Sequence, residues 1–165
     1  MPPDTSGTLE AVQEHFASIG FPAEFMEEEG VRSLFVGVPP DGEGRERFVS
    51  LAFVPGTGEA LRSLLLLQLY SRVPCRVDPD RRTDLERYLT AASARLAIGH
   101  LGLSERDGVF LRHVNASPAD RPFDVDETAE LVGFFVFMQD LLAEGIEAVA
   151  SGKTSLEQGL AALRA

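Results

Sequence analysis

The chain has 165 residues, of which 44% are hydrophobic and 25% are charged, a composition typical of one globular domain. It carries 26 acidic and 15 basic residues, which gives a formal net charge of −11. This balance argues against binding to nucleic acid or to an anionic membrane, because both kinds of binding depend on basic patches.

The cysteine content and the apolar runs indicate a cytoplasmic protein. Cys75 is the single cysteine, so no intramolecular disulfide can form, and a lone thiol suits a reducing compartment. The start Met1–Asp4 lacks the basic and apolar regions of a signal peptide. The apolar runs Leu64–Leu67 and Leu131–Met138 are far shorter than the roughly 20 residues that span a bilayer.

The N-terminal part of the chain predicts a flexible segment and one helix. Residues 1–8 are rich in proline, glycine, serine and threonine, and we expect them to be flexible. Four apolar residues then recur at helical spacing before Gly20, which predicts a short amphipathic helix that ends there. These residues are Leu9, Val12, Phe16 and Ile19.

Four β-like segments follow the first helix. Turn residues separate the first three, which are 22–28, 31–38 and 48–54. The segment 61–73 contains a run of leucines and could be a helix by propensity, but it lies between turn signals and ends in β-forming residues. We therefore predict a fourth, largely buried strand there.

The middle of the chain predicts a second helix and a hairpin. Asp78 is a suitable N-cap, and Pro79 follows it at the first helical position. The Asp107-Gly108 pair lies between two apolar runs, which is a strong hairpin signal. A proline-containing loop is expected over 116–122.

The last third of the chain predicts two helices and completes the fold. A capping box at 124–127 starts the longest helix, which Gly152 ends, and a second box at 154–157 starts a short helix. Strands grouped in runs between helices indicate an α+β fold with a mainly antiparallel sheet, in the order helix, strands, helix, two strands, helix. We expect a single domain over 9–152 and a short C-terminal helix within 153–165.

The chemically versatile side chains do not form a catalytic or metal-binding motif. No histidine lies at metal-ligand spacing from another histidine or from Cys75. The chain has neither a nucleophile elbow nor a phosphate loop. The acidic run before Gly30 lacks the alternating ligands of a calcium loop. We therefore expect no catalytic residue, no metal and no cofactor.

Two features leave a small-ligand-binding or enzymatic alternative open. His100 and His113 lie on the two arms of the predicted hairpin and could face each other, in an arrangement able to bind a metal or sense pH. The arginines between Arg72 and Arg87 could dock an acidic ligand, although the acids that flank them favour a solvated surface. This alternative predicts a concave pocket that contains one of the two histidines.

The run Leu131–Met138 is the most informative feature, because it is apolar nearly all round for two helical turns. A surface helix needs an apolar stripe on one side only. The other side must be covered by helices of the same chain, by a second subunit or by a partner. We predict that Phe134, Phe137 and Leu141, which lie off the main stripe, are contact residues for a partner or a second subunit.

Three segments resemble a known family. Leu96–Leu103, Asp107–Arg112 and the acidic-capped start Asp124–Leu131 are similar to the C-terminal half of YbjN-like proteins, a family of proposed bacterial sensory transduction regulators. The resemblance at residue level covers about 96–142. It implies the fold of type III secretion chaperones, which is a helix, three strands, a helix, two strands and a helix.

This resemblance also implies a function. Proteins of this kind are expected to be non-enzymatic, to form homodimers and to bind other polypeptides, and no catalytic residue can be carried over from them. The strand-like segment 61–73 and the final helix depart from the family pattern. The sequence therefore predicts a non-catalytic protein-binding module, chaperone-like or regulatory, that acts as a homodimer and binds another polypeptide.

Overall fold

The computed structural model describes residues 6–56, 60–121 and 123–165. Within them the helices are α1 (Ser6–Ser18), α2 (Arg82–Ser93), α3 (Val125–Ala150) and α4 (Leu156–Arg164), and a 3₁₀ turn, Pro79–Arg81, precedes α2. The strands are β1 (Ala23–Glu28), β2 (Val31–Val38), β3 (Arg47–Phe53), β4 (Leu64–Arg72), β5 (His100–Ser104) and β6 (Gly108–Pro118).

The strands form a six-stranded sheet in the order β1-β2-β3-β4-β6-β5. Pairing is antiparallel between β1 and β2, β2 and β3, β3 and β4, and β5 and β6. The predicted α+β class with a mainly antiparallel sheet is therefore confirmed. The segment 61–73 contains strand β4, as predicted, but only Leu67, Leu69 and Ser71 of this strand are buried, so the prediction of a largely buried strand is wrong.

The ends of several elements differ from the sequence prediction. Helix α1 begins at Ser6, inside the segment 1–8 that was expected to be flexible, whereas residues 1–5 lie outside the described residues. It ends at Ser18, so Ile19 lies beyond the helix and is 54% exposed instead of joining the apolar stripe. Strand β6 continues to Pro118, into the predicted loop 116–122, of which Pro122 lies outside the described residues.

The second capping box lies one residue later than predicted. Ser155 is the N-cap of α4: its Oγ accepts a hydrogen bond from the Gln158 backbone N–H, and the Gln158 side chain accepts one from the Ser155 N–H. Thr154 and Glu157 also have the required residue types, but the geometry selects the Ser155–Gln158 pair. A capping box contains either glutamate or glutamine at its fourth position, so the sequence pattern fits both registers.

The chain forms two compact units, and the first comprises residues up to Tyr70 together with His113–Phe134. In its hairpin, β1 and β2 join through Glu29 and Gly30, which have φ values of 53° and 77°. Such a turn has a twist that matches paired strands, and glycine adopts it without steric cost.

One face of strands β1–β4, here called the inner face, is covered in this unit. Its central side chains are fully buried: Leu34, Val36, Val49, Leu51, Leu67 and Leu69. Helix α1 lies on this side, since its Glu10 pairs with Arg32 at 2.5 Å and Arg32 shares the inner face of β2 with Leu34. The apolar stripe of α1 is buried as predicted at Leu9, Val12 and Phe16.

The second unit comprises Ser71–Arg112 and Phe135–Ala165. Helix α2 packs on β5 and α4 and buries Leu85, Tyr88, Leu89 and Ala92. In this unit α3 buries one stripe of side chains: Phe135, Met138, Leu142, Ile146 and Val149. The helical spacing of the sequence predicts a stripe of Leu131, Phe135, Met138, Leu142, Gly145 and Val149, of which Phe135, Met138, Leu142 and Val149 are buried, so this side of α3 is core.

A buried amide fixes α3 to the end of β4 within this unit. Gln139 is 1% exposed, and its Nε2 donates a hydrogen bond of 2.8 Å to the Arg72 carbonyl oxygen. The Ser71 hydroxyl donates to Gln139 Oε1 at 3.4 Å. Because a buried amide without partners is costly, these bonds specify the rotation of α3 about its axis. That rotation decides which side chains of α3 reach solvent.

Candidate functional site

Helix α3 begins at a strong cap and carries a second apolar side. The Asp124 side chain accepts hydrogen bonds from the backbone N–H groups of Asp126 and Glu127 at 2.9 and 3.0 Å, which confirms the predicted helix start. Off the buried stripe, Phe134 is 40%, Phe137 55% and Leu141 63% exposed. We call these three side chains the α3 apolar face.

The spacing along the helix places the α3 apolar face on one side of α3. Positions three and four apart are neighbours on a helix, so Phe137 lies beside both Phe134 and Leu141. Large apolar side chains that are exposed singly are common on protein surfaces, whereas a row of them at helical spacing is typical of a contact surface. The residues predicted from the sequence as contacts are thus exposed in the chain on its own.

The charge around the α3 apolar face is uniformly negative along the helix. Glu130 lies four residues before Phe134, and Glu144 lies three residues after Leu141, so exposed acids continue the row at both ends. Over its whole length α3 contains no lysine, arginine or histidine. A ligand of this helix face would therefore meet an apolar centre between two acidic ends.

A second apolar surface occurs on the side of strands β1–β3 that faces away from α1. A depression of about 570 Å³ is lined there by Pro22, Glu24, Met26, Phe35 and Phe48. Its side chains come from neighbouring strands, since Glu24 lies opposite Phe35 and Gly37 lies opposite Phe48. This depression could not be predicted from the sequence, because it requires the register of three strands.

Gly37 is essential to the shape of this depression. A Cβ atom at Gly37 would lie 2.6 Å from the Pro22 ring, whereas the glycine N–H donates a 2.7 Å hydrogen bond to the Pro22 carbonyl oxygen. Absence of a side chain thus lets Pro22 fold over β2 next to Phe48.

The predicted pair of hairpin histidines is not formed. The register places His100 opposite Arg112, so His113 is displaced by one residue and its side chain points to the other side of β6. His100 instead meets the edge of the Phe110 ring, with centroids 6.2 Å apart. Neither histidine lines the depression at Phe35 and Phe48. The prediction that they are cross-strand neighbours is therefore wrong.

Burial lowers the pKa of the His113 imidazole. The unfolded chain then binds a proton more readily than the folded chain, so this residue contributes stability above its ordinary pKa of about 6.5 that is lost as the pH falls through the lower folded value. We expect the urea midpoint of the protein to decrease on acidification below about pH 6.5, and His113→Gln to reduce that slope. Equal slopes for the two proteins between pH 7 and 5 would contradict this role.

Acids accompany the arginines of the segment Arg72–Arg87, as the sequence suggests. Arg72 pairs with Asp107 at 2.5 Å, and along α2 Arg82 pairs with Glu86 at 3.2 Å. Pairs of this kind at the surface contribute little to stability and neutralise the local charge. Over 72–87 four acids accompany the five arginines, so the segment has little net positive charge.

The remaining chemically versatile groups are scattered. His15 lies on α1 with its Nδ1 3.9 Å from the Asp126 carboxylate, and the Cys75 thiol is half-buried. In the part of the chain that the structure describes, no three His, Cys, Asp or Glu side chains are placed to hold a metal ion together. Over the same residues, none of the helices has the length and apolar character needed to cross a membrane.

Comparison with known proteins yields a structural likeness. No protein-family model and no curated protein matches this chain. Among solved structures it is similar to the crystal structure of YbjN from E. coli, "a putative transcription regulator", with 14% identity and a TM-score of 0.47 over 87% of this chain and 93% of that chain. The function proposed below rests on the two apolar surfaces described above.

Proposed function

We propose that this chain is a non-catalytic, regulatory or chaperone-like module that binds another polypeptide and acts as a homodimer. The observation that carries the proposal is the exposure of Phe134, Phe137 and Leu141 on a helix whose opposite side is buried. A helix in water gains nothing from a second apolar side, whereas a complex gains about 25 cal/mol for each Å² of apolar surface that it covers. A row of apolar side chains at helical spacing suits an amphipathic helix as the ligand.

The acids at the ends of the α3 apolar face favour a basic partner. If two α3 helices packed antiparallel about Phe137, Glu130 of one copy would lie close to Glu144 of the other. Like charges brought together at an interface oppose association. A basic amphipathic helix from another polypeptide would instead place cations beside both acids and apolar side chains between them. We therefore assign the α3 apolar face to a partner of this chemistry rather than to a second copy.

A designed peptide provides the test. A labelled amphipathic helix of about 18 residues, long enough to form a helix and composed of leucine and lysine, is titrated with the full chain by fluorescence anisotropy. We expect saturable binding that weakens as salt is added. The variant Phe137→Ala/Leu141→Ala should weaken it by about tenfold or more, which corresponds to about 1.4 kcal/mol.

The control variants separate this face from the general acidity of the protein. Phe48→Ala, on the sheet, removes a similarly exposed phenylalanine and should leave the affinity unchanged. Glu130→Gln/Glu144→Gln should weaken binding at low salt and remove part of its salt dependence. An unchanged affinity for the Phe137→Ala/Leu141→Ala variant, or equal binding of a leucine–glutamate peptide, would disprove the assignment.

A further inference from the structure

The side of strands β1–β4 opposite the inner face has an unusual composition. Side chains alternate across a strand, so the register assigns the following residues of β2, β3 and β4 to one surface, here called the outer sheet face. They are Val31, Ser33, Phe35, Gly37, Phe48, Ser50, Ala52, Leu64, Leu66, Gln68 and Tyr70. None of them is charged. The edge strand β1 adds Met26 to this face, together with Glu24 and Glu28 at its border.

This composition is not that of a sheet surface made for water. An antiparallel sheet with one solvated face normally alternates apolar residues inside with polar residues outside. Here Met26 is 57%, Phe48 49% and Leu64 39% exposed. In the first unit, α1 packs on the inner face through Glu10 and Arg32. On the outer sheet face Pro22 covers Gly37, whereas the side chains of Met26, Phe48 and Leu64 remain exposed.

We infer that two copies of this chain associate through the outer sheet face. The inference deepens the homodimer part of the proposed function by naming its interface. The choice of a second copy follows from charge: in a chain of net charge −11, β2, β3 and β4 carry no charged side chain on this face, and its two acids, Glu24 and Glu28, lie only on the edge strand β1. On α3, by contrast, self-association would bring Glu130 of one copy close to Glu144 of the other. We therefore assign the outer sheet face to a second copy and the α3 apolar face to another polypeptide.

The shape of the outer sheet face also fits association with a copy of itself. A two-fold interface uses the same patch on both subunits, so one patch must supply both projecting and receiving features. The exposed side chains of Met26, Phe48 and Leu64 project from the face, and the depression of about 570 Å³ beside Phe35 has room for a side chain of the other copy. Face-to-face sheets pack about 10 Å apart with interdigitated side chains, which this relief allows.

The size of the face predicts a weak dimer. Four strands about 4.8 Å apart and about seven residues long at 3.4 Å each give a footprint of roughly 450 Å². A typical stable interface buries about 800 Å² on each partner. We therefore expect a concentration-dependent equilibrium with a dissociation constant of roughly 1–100 µM, at the lower end of interface strength.

Sedimentation velocity of the full chain over a range of concentrations tests the inference. We expect a shift from monomer to dimer with rising concentration, and at least a tenfold weaker dimer for Phe48→Glu, because this change buries two carboxylates in an apolar contact. Phe137→Glu is the matched control: the same substitution at a similarly exposed phenylalanine of α3 should leave the dimer intact. Peptide binding by Phe48→Glu should persist, which shows that the variant is folded.

A dilution series followed by NMR locates the interface without any substitution. Signals of Phe35, Phe48 and Ser50 should shift with concentration, whereas those of Phe137 and Leu141 should not. If Phe48→Glu leaves the dimer unchanged and the NMR shifts occur at other residues, the inference about the outer sheet face is wrong. The proposal that the chain forms a homodimer would then still hold. A chain that stays monomeric at all concentrations would overturn both, but the test of the α3 apolar face by peptide titration is independent of either result.

Discussion

Replacing Phe135 by alanine is expected to destabilise the protein by about 3–5 kcal/mol, the cost of removing a large side chain from a packed core. Phe135 is 0% exposed and belongs to the buried stripe of α3. A loss of this size is a large part of the 5–15 kcal/mol that stabilises a typical domain. Denaturant unfolding followed by circular dichroism measures it as a lower midpoint.

The matched control is the same substitution two residues further along the helix. Phe137 is 55% exposed, so Phe137→Ala removes little buried area, and alanine has the better helix propensity. We expect its effect to stay within about 0.5 kcal/mol, as for most surface substitutions. Similar losses for Phe135→Ala and Phe137→Ala would mean that both sides of α3 are core, and the α3 apolar face would no longer be a candidate contact surface.

Gly145→Ala is expected to destabilise the protein by about 1–3 kcal/mol, although alanine is the better helix former. A Cβ atom at Gly145 would lie 2.2 Å from the Tyr88 hydroxyl oxygen and 3.2 Å from its Cζ. Tyr88 is only 3% exposed and packs between α3 and α4, where a Cβ at Gly159 would also approach its ring at 3.1 Å. The Tyr88 ring cannot move away without disturbing this packing.

Gly133 provides the control on the same helix. Apart from the adjacent residues and the helix's own backbone, no atom of the described residues lies within 4 Å of a Cβ built at Gly133, so Gly133→Ala should stabilise the protein by up to about 1 kcal/mol through helix propensity. Combining Gly145→Ala with Tyr88→Phe removes the closest atom, and the double variant should lose less stability than the sum of the two single changes. Additive losses, or a stabilised Gly145→Ala, would show that Tyr88 adjusts freely.

The excess of apolar side chains on α3 could be recognised from the sequence, and the role of three of them as contacts stays a prediction. A run that is apolar around the whole of α3 contains more apolar side chains than one stripe needs, and this excess pointed to Phe134, Phe137 and Leu141. The sequence left open whether other helices of the same chain cover them. The structure leaves them 40–63% exposed, because the buried stripe of α3 and the hydrogen bond from Gln139 to the Arg72 carbonyl oxygen both lie on the other side of the helix.

The histidine pair that the sequence suggested does not form, for a reason of register. Sequence placed His100 and His113 on two arms of one hairpin, and that hairpin is confirmed. A displacement of one residue moves a strand side chain to the opposite face, so the pairing of His100 with Arg112 separates the two imidazoles. The Asp-Gly pair predicts where the hairpin turns. It does not determine which residues of the two strands pair with each other, because this depends on the turn geometry at Gly108.

The outer sheet face was absent from the sequence prediction for a related reason. The strands that contain Phe35, Phe48 and Leu64 were each recognised separately, and each one alternates only partly between apolar and polar residues. Only the pairing of neighbouring strands shows that their uncharged side chains share one surface. A depression such as that beside Phe35 is a property of several strands together, and no single segment encodes it locally.

The sequence by itself determined the order and type of the elements, the α+β class and the acidic charge of α3. These properties follow from interactions between residues a few positions apart in the chain. Examples are the helix cap at Asp124, the turn at Glu29 and Gly30, and the spacing of apolar residues. Tertiary structure alone decided which apolar side chains reach water, because exposure depends on what packs against a face. The periodicity of a sequence predicts which residues share one side of a helix or strand. Whether that side becomes core or contact surface depends on the elements that pack against it.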